Sequence, residues 1–235
     1  GKTAWALGTL GELTGDMQMV APLIALLDDY AEIPNDSAHL YVSQYAAEAL
    51  TQIGTDEALA AVEVWKPIAR EKLLPRRIMD LIRALQHKDL QTREAVMQQL
   101  QEIGPAAVEP LMDALQNATH ERIRQGAAQA LGLLGDGRAT HTLALALADE
   151  DAGVWSQAVA ALSKLGNRAE KALRPMLRSK KQRVQIGAAL ALWRINREER
   201  AFKLLLQALQ DDDLVVRGSA LWLTSGFPQR TWNAG

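Results

Sequence analysis

The chain has 235 residues, with 26 lysines and arginines against 28 aspartates and glutamates. Its net charge of −2 predicts no general attraction to nucleic acid or to a membrane surface. Cysteine is absent, which excludes disulfides, cysteine-based zinc sites and a thiol nucleophile. The longest apolar run, Met19–Leu27, is too short to cross a bilayer, and no signal-peptide pattern opens the chain. We therefore expect a cytoplasmic protein with no membrane span.

One sequence pattern returns along the chain at a nearly constant interval, which is typical of a solenoid. Five consecutive copies, 31, 31, 30 and 31 residues apart, begin at Thr92, Ile123, Val154, Val184 and Val215. An earlier copy begins at Val42, 50 residues before Thr92. The wider spacing predicts insertions near residues 31–39 and 64–77. We expect a polar loop in the first, and an extended helix with a linker in the second.

Each copy is predicted to fold as two helices. In the central copy, apolar residues recur with helical spacing and form one buried stripe, which consists of Ile123, Ala127, Ala130, Leu131 and Leu134. Gly135 is placed to end this helix, and Asp136 can cap the next one. A pair of helices this short cannot bury its own apolar face, so stacking against neighbouring pairs supplies the core.

The central copy resembles a HEAT repeat of the short type found in phycobilisome (bilin) lyase subunits. The matching residues are Ile123-Arg124, Ala127-Ala128, Ala130-Leu131-Gly132, Leu134-Gly135-Asp136 and Arg138-Ala139. The resemblance implies an all-α, right-handed α-solenoid of six to seven two-helix units, built as a single domain over residues 1–235. Because the chain opens inside a second helix of the pattern, we expect it to be a fragment of a longer protein.

The sequence offers no catalytic motif, and we predict a non-catalytic protein without a cofactor or a bound metal. His120-Glu121 resembles the His-Glu pairs through which deoxyhypusine hydroxylase, an enzyme of this repeat class, binds iron within its second helices. Here the pair stands at the start of a helix, where the helix dipole stabilises the negative charge of Glu121. We therefore do not interpret the pair as a metal ligand. The run Asp211–Asp213 is interpreted as a helix cap before Leu214.

The residues that helical phase places on the solvent side of the second helices indicate where a partner binds. In solenoids of this class the second helices line the concave side, and residues two, six and ten positions after each repeat start point away from the core stripe. Towards the C-terminus these positions become apolar and basic. Two tryptophans are added because Trp155 replaces the arginine of the family motif and Trp193 replaces its small residue. The predicted partner-binding patch consists of Trp155, Ile186, Leu190, Trp193, Arg194 and Leu221. Packing between neighbouring repeats is the alternative interpretation of the same residues.

Charge is distributed unevenly along the chain. Residues 1–63 contain one basic and ten acidic side chains, whereas residues 167–200 contain ten basic and three acidic ones. This gradient can steer an acidic partner or favour head-to-tail self-association. Our first hypothesis is a protein-binding scaffold or adaptor that uses its concave face. A subunit of a bilin-lyase-like complex is the alternative, and a nucleic-acid-binding repeat is less favoured because the chain is acidic overall.

Overall fold

The computed structural model describes residues 19–31, 41–210 and 214–221, and most of these residues lie in α-helices. The expected all-α fold is confirmed. The predicted loop at 31–39 falls almost entirely outside the described residues, as does the predicted cap Asp211–Asp213. The chain divides into two compact units, Gly1–Arg77 and Ile78–Gly235. A single domain over the whole chain therefore stays a prediction.

The first unit holds one short helix packed on a longer one. Helix α1, Val20–Ala25, continues as the 3-10 turn Leu26–Asp28, and helix α2 follows at Val42–Ile53. These elements and the start of the next helix, Asp56–Ala84, bury their apolar sides against one another. The core of this unit includes Val20, Leu23, Leu27, Ala46, Leu50, Ala58 and Val62. Gly54 ends α2 with a φ of 70°, a backbone conformation that glycine adopts without strain.

Helix α3 runs without interruption over Asp56–Ala84, so the linker expected within residues 64–77 is wrong. Each of its two internal prolines removes a backbone hydrogen bond, yet the helix continues because strong helix formers surround both. Basic side chains also hold this segment in place. Lys72 lies 4.5 Å from the centre of the Tyr30 ring, and the Arg76 guanidinium donates to the Tyr30 carbonyl at 3.1 Å.

The second unit alternates first and second helices of successive repeats, as the sequence predicts. The second helices are α4 (Leu90–Ile103), α6 (Glu121–Leu134), α8 (Ala152–Leu165), α10 (Gln182–Asn196) and α12 (Leu214–Leu221). The first helices between them are α5 (Val108–Asn117), α7 (Thr140–Leu145), α9 (Asn167–Met176) and α11 (Glu199–Ala208). Three 3-10 turns, Gly104–Ala107, Gly137–Ala139 and Ala146–Ala148, extend α5 and α7.

Helix ends repeat with the same period as the sequence pattern. Gly104, Gly135 and Gly166 follow α4, α6 and α8 with φ values of 72°, 65° and 62°. In the next repeat Arg197 occupies the equivalent position with a φ of 57°, which costs about 1 kcal/mol for a residue with a side chain. Asp136 caps the following turn through a 2.9 Å hydrogen bond from the Arg138 backbone N–H, as expected.

A partly buried ion pair joins two successive repeats. Arg124 on α6 donates from Nε to one oxygen of Asp149 at 2.8 Å and from Nη2 to the other at 3.1 Å. Their side chains are only 18% and 13% exposed. Burial alone would raise the pKa of Asp149, but the hydrogen bonds from Arg124 and the Asp151 backbone hold this pKa below its usual range. The pair thus keeps the loop before α8 fixed against α6.

Candidate protein-binding surface

Three residues of the predicted patch are buried, so the expectation that they face solvent is wrong. Trp155 is 4% exposed, Ile186 is 3% exposed and Leu190 is 1% exposed. All residues from 186 to 192 are buried, because α10 packs against α8, α9, α11 and α12. A helical segment that is apolar on every side lies in the core. Along residues 186–192, helical spacing alone therefore does not identify residues that face solvent.

Trp155 fills the space between α8 and α10. Its indole Nε1 donates to the Arg183 carbonyl at 3.1 Å, and the Arg183 guanidinium lies 5.9 Å from the ring centre. Gly187 makes this close fit possible, since a Cβ there would lie 2.9 Å from both the Trp155 Nε1 and the Leu147 Cδ2. Trp155 is therefore part of the packing between repeats.

In three other repeats, the residue equivalent to Trp155 also donates hydrogen bonds to main-chain carbonyls. The equivalent side chains bind main-chain carbonyls of the loop that precedes their helix. Arg93 donates to the His87 and Lys88 carbonyls at 2.7 and 2.9 Å, Arg124 to the Ala118 carbonyl at 3.0 Å, and Gln185 to the Leu177 carbonyl at 2.8 Å. Trp155 makes such a bond to the next repeat instead. Arg93, Arg124 and Gln185 thus fix loops, whereas Trp155 joins α8 to α10, and the sequence pattern alone did not show either role.

The other three residues of the predicted patch differ in their exposure to solvent. Trp193 is half-buried and stacks on Phe202 of α11 with ring centres 4.7 Å apart. Arg194 is exposed on α10, and Leu221, at the end of α12, is 54% exposed. Arg194 and Leu221 are therefore the members of the patch that are open to solvent.

A groove lies between the second helices α4 and α6, and sequence reasoning did not predict it. Its volume is about 640 Å³. Each wall is one helical stripe: α4 contributes Leu90, Arg93, Glu94, Met97, Gln98 and Gln101, and α6 contributes Arg122, Gln125, Gly126, Gln129 and Leu133. Lys88 stands at one end. We call this feature the α4–α6 groove.

Side-chain size explains why the groove is open here and closed one repeat later. Between α6 and α8 the helices touch, because a Cβ on Gly132 would lie 2.7 Å from the Ala161 Cβ. One repeat earlier, Gln101 occupies the position equivalent to Gly132, and Arg122 occupies the position equivalent to Gly153. Larger side chains keep helices apart. Consistent with this, α4 and α6 contact each other only sparsely.

Cations outnumber carboxylates along the α4–α6 groove. Lys88, Arg93 and Arg122 line it together with a single carboxylate, that of Glu94. Within the described part of the chain, the side chains of Lys88, Arg122 and Glu94 make no hydrogen bond or ion pair with other residues. The groove can therefore offer two uncompensated positive charges to a ligand.

His120 and Glu121 lie at the start of α6, as expected from the sequence. His120 is the N-cap residue, and its Nδ1 accepts a hydrogen bond from the Arg122 backbone N–H at 3.2 Å. Among residues 19–31, 41–210 and 214–221, no group of three or more His, Asp or Glu side chains is arranged to hold a metal ion. Over the same residues, no helix is both long enough and apolar enough to cross a membrane.

The repeat family is decided by comparison with family models. The model described as HEAT repeats matches residues 78–163 and 139–223, which together cover more than half of the chain. The chain belongs to the HEAT-repeat family. The matched residues run from the end of α3 through α12, so HEAT repeats account for almost the whole second unit.

Similar proteins include a bilin biosynthesis protein, PecE of Mastigocladus laminosus. It is 28% identical over 120 residues, which are 51% of this chain and 45% of PecE. The match thus spans less than half the length of this relative. The resemblance to phycobilisome-lyase HEAT repeats is confirmed.

Two solved structures resemble the chain at low identity. The complex of CpcE and CpcF of phycocyanin lyase from Nostoc sp. PCC7120 is 19% identical, with a TM-score of 0.48 over 63% of this chain and 97% of that chain. Human deoxyhypusine hydroxylase is 21% identical, with a TM-score of 0.39 over 84% of this chain and 79% of that chain. Both likenesses concern the helical-repeat fold alone.

Proposed function

We propose that the chain is a non-catalytic scaffold that binds a protein partner along its second helices, and that it acts in the cytoplasm. The observation that carries the proposal is the α4–α6 groove, whose two walls are presented by the second helices of neighbouring repeats. Repeat stacks of this kind are suited to binding because each helix is held by its neighbours and leaves one stripe free.

The exposed residues of the second helices extend the proposed surface beyond the groove. Glu94, Gln98 and Gln129 are exposed on α4 and α6, and Lys164 is exposed on α8. Of the patch predicted from the sequence, Arg194 and Leu221 stay in the proposal because their side chains are exposed. Trp155, Ile186 and Leu190 are left out because a partner cannot reach them.

The scaffold proposal predicts that capture of a partner depends on second-helix side chains. Immobilised wild type, Gln129→Arg, Arg194→Glu and Lys171→Glu would be compared on nuclease-treated lysate by quantitative mass spectrometry. We expect a protein that binds wild type and the α9 control Lys171→Glu equally, and that is reduced about tenfold by at least one second-helix variant. The side chains of Gln129, Arg194 and Lys171 are all exposed, so the fold should be unaffected.

Equal capture by all four proteins, each with a wild-type circular dichroism spectrum, would contradict the scaffold proposal. Loss of capture in Arg194→Glu alone would support the scaffold proposal and locate the partner on α10. Loss only in Gln129→Arg would locate the partner at the α4–α6 groove.

A bilin-lyase-like subunit is the second candidate, and the similarity to PecE favours it. On this interpretation the chain acts within a complex and handles a linear tetrapyrrole. Titrating the chain with a free bilin tests it directly, because a bound bilin changes its visible absorbance when its conformation is fixed. An unchanged spectrum, with and without a lyase partner subunit, would count against this candidate.

A further inference from the structure

The two ends of the α4–α6 groove differ in chemistry. Lys88, Arg93 and Arg122 stand at the end where both helices begin. Arg93 is anchored there by its hydrogen bonds to the His87 and Lys88 carbonyls, whereas Lys88 and Arg122 have no partner among the described residues. Glu94 also stands near this end, so three cations face one carboxylate, and the excess of positive charge favours carboxylates of a ligand here.

Between the ends, the groove is lined by side-chain amides. Gln101, Gln125 and Gln129 line it, and their carboxamides make no hydrogen bond with other residues in the part of the chain that the structure describes. A carboxamide both donates and accepts, so it can pair with the N–H and C=O groups of a main chain. A ligand with a free main chain, such as an extended peptide, satisfies these groups.

At the other end the groove continues into a second, smaller pocket of mixed polarity. This pocket has a volume of about 240 Å³ and shares Gln101 and Leu133 with the groove. Its apolar side is formed by Leu133 with Pro105, Val108 and Leu134, and the Asp136 carboxylate lines it as well, so this end repels rather than attracts carboxylates. It is large enough to receive one aliphatic side chain, which would bury apolar area without disturbing the helices.

We propose that the α4–α6 groove binds an extended, acidic segment of the partner protein, with carboxylates at the Lys88–Arg122 end and an aliphatic side chain in the pocket beside Leu133. The proposal rests on the scaffold function proposed above. The α4 stripe from Leu90 to Gln101 is about 16 Å long, which corresponds to about five residues of extended chain. Charge complementarity selects an acidic occupant, because the cations of the groove would repel a basic segment.

A matched pair of labelled peptides tests the proposal. The probe is a fluorescein-labelled peptide of about eight residues, with glutamates in one half and leucine with glycines in the other, and its control replaces each glutamate by lysine. Fluorescence anisotropy would be measured with wild type, with Lys88→Glu/Arg122→Glu, and with Lys171→Glu/Lys180→Glu. The second double variant makes the same charge change on exposed lysines of α9 and of the loop after it.

We expect the acidic probe to bind wild type and to lose about tenfold or more in affinity with Lys88→Glu/Arg122→Glu, while Lys171→Glu/Lys180→Glu changes it less than about twofold. Raising the salt concentration should weaken this binding. No binding, equal binding of the lysine control, or an equal loss in both double variants would overturn the proposal.

Self-association is the competing occupant, since residues 1–63 of a second copy carry ten acidic side chains. Sedimentation of the chain alone distinguishes it. A dimer that forms with increasing concentration and is abolished by Lys88→Glu/Arg122→Glu would assign the groove to a second copy and overturn the proposal. If partner capture fails with Arg194→Glu but persists with Gln129→Arg, the proposal that the partner occupies the α4–α6 groove is overturned. The proposed scaffold function is then unaffected.

Discussion

Replacing Trp155 by alanine is expected to lower the free energy of unfolding by about 3–5 kcal/mol. The indole is 4% exposed, fills the space between α8 and α10, and donates to the Arg183 carbonyl at 3.1 Å. Truncation would leave a cavity beneath Gly187 and leave the Arg183 carbonyl without this donor. Urea unfolding followed by circular dichroism at 222 nm measures the change.

Trp155→Phe is the matched control, because it keeps an aromatic ring and removes the hydrogen bond. We expect a loss of about 1–2 kcal/mol, smaller than that of Trp155→Ala, for the hydrogen bond and the smaller ring together, with partner capture unchanged. If Trp155→Ala left stability within about 0.5 kcal/mol of wild type, the change would be that of an ordinary surface substitution and the packing role would be contradicted.

Gly132→Ala is expected to destabilise the second unit by about 2–3 kcal/mol, although alanine favours a helix more than glycine. The added Cβ would lie 2.7 Å from the Ala161 Cβ and 2.8 Å from the Ala161 Cα. The second of these atoms is backbone, so α6 and α8 would have to move apart. That movement would loosen the closest contact between these two helices, and the same urea titration would record it.

Gly137→Ala is the control for the added methyl group. Its Cβ would meet the Arg168 Cδ at 3.6 Å, an ordinary van der Waals distance, and Gly137 does not have a positive φ. The free energy of unfolding should be unchanged or should rise by about 0.5 kcal/mol, because alanine reduces the conformational entropy of the unfolded chain. Equal stabilities of Gly132→Ala and Gly137→Ala would show that the two helices are not in close contact at Gly132.

The repeat architecture could be predicted from the sequence because one physical pattern was present at every level. The apolar stripe that begins at Ile123, the left-handed end at Gly135 and the cap at Asp136 all indicate the same helix boundaries. The continuous helix through Pro67 and Pro75 was not predicted, because proline is a strong local signal and the contacts of Lys72 and Arg76 with Tyr30 depend on the folded chain.

The predicted patch was partly wrong because helical phase shows which residues share a face and does not show what covers that face. In α4 and α6 the predicted outward positions Gln98 and Gln129 are exposed, whereas the equivalent Leu190 of α10 is buried. The apolar residues Ile186 and Leu190 at outward positions of α10 are explained by the packing of α10 on its neighbours. Inter-repeat packing was the alternative that the sequence left open.

The groove left a signal in the sequence that a repeat-by-repeat comparison of residue size can detect. Gln101 and Arg122 stand one period before Gly132 and Gly153, so large side chains replace small ones at a helix contact. The volume of the groove could not be read in the same way, because it depends on how far two helices separate around those side chains.

Site-specific photo-crosslinking tests the central claim most directly, namely that a partner protein lies in the α4–α6 groove. A benzophenone amino acid would replace Gln129 in the groove or Lys171 on α9, two exposed positions of the second unit. After irradiation in lysate, we predict a discrete crosslinked protein from position 129 that is absent from position 171 and is suppressed by excess acidic peptide. The same product from both positions, or a product from position 171 alone, would contradict the claim.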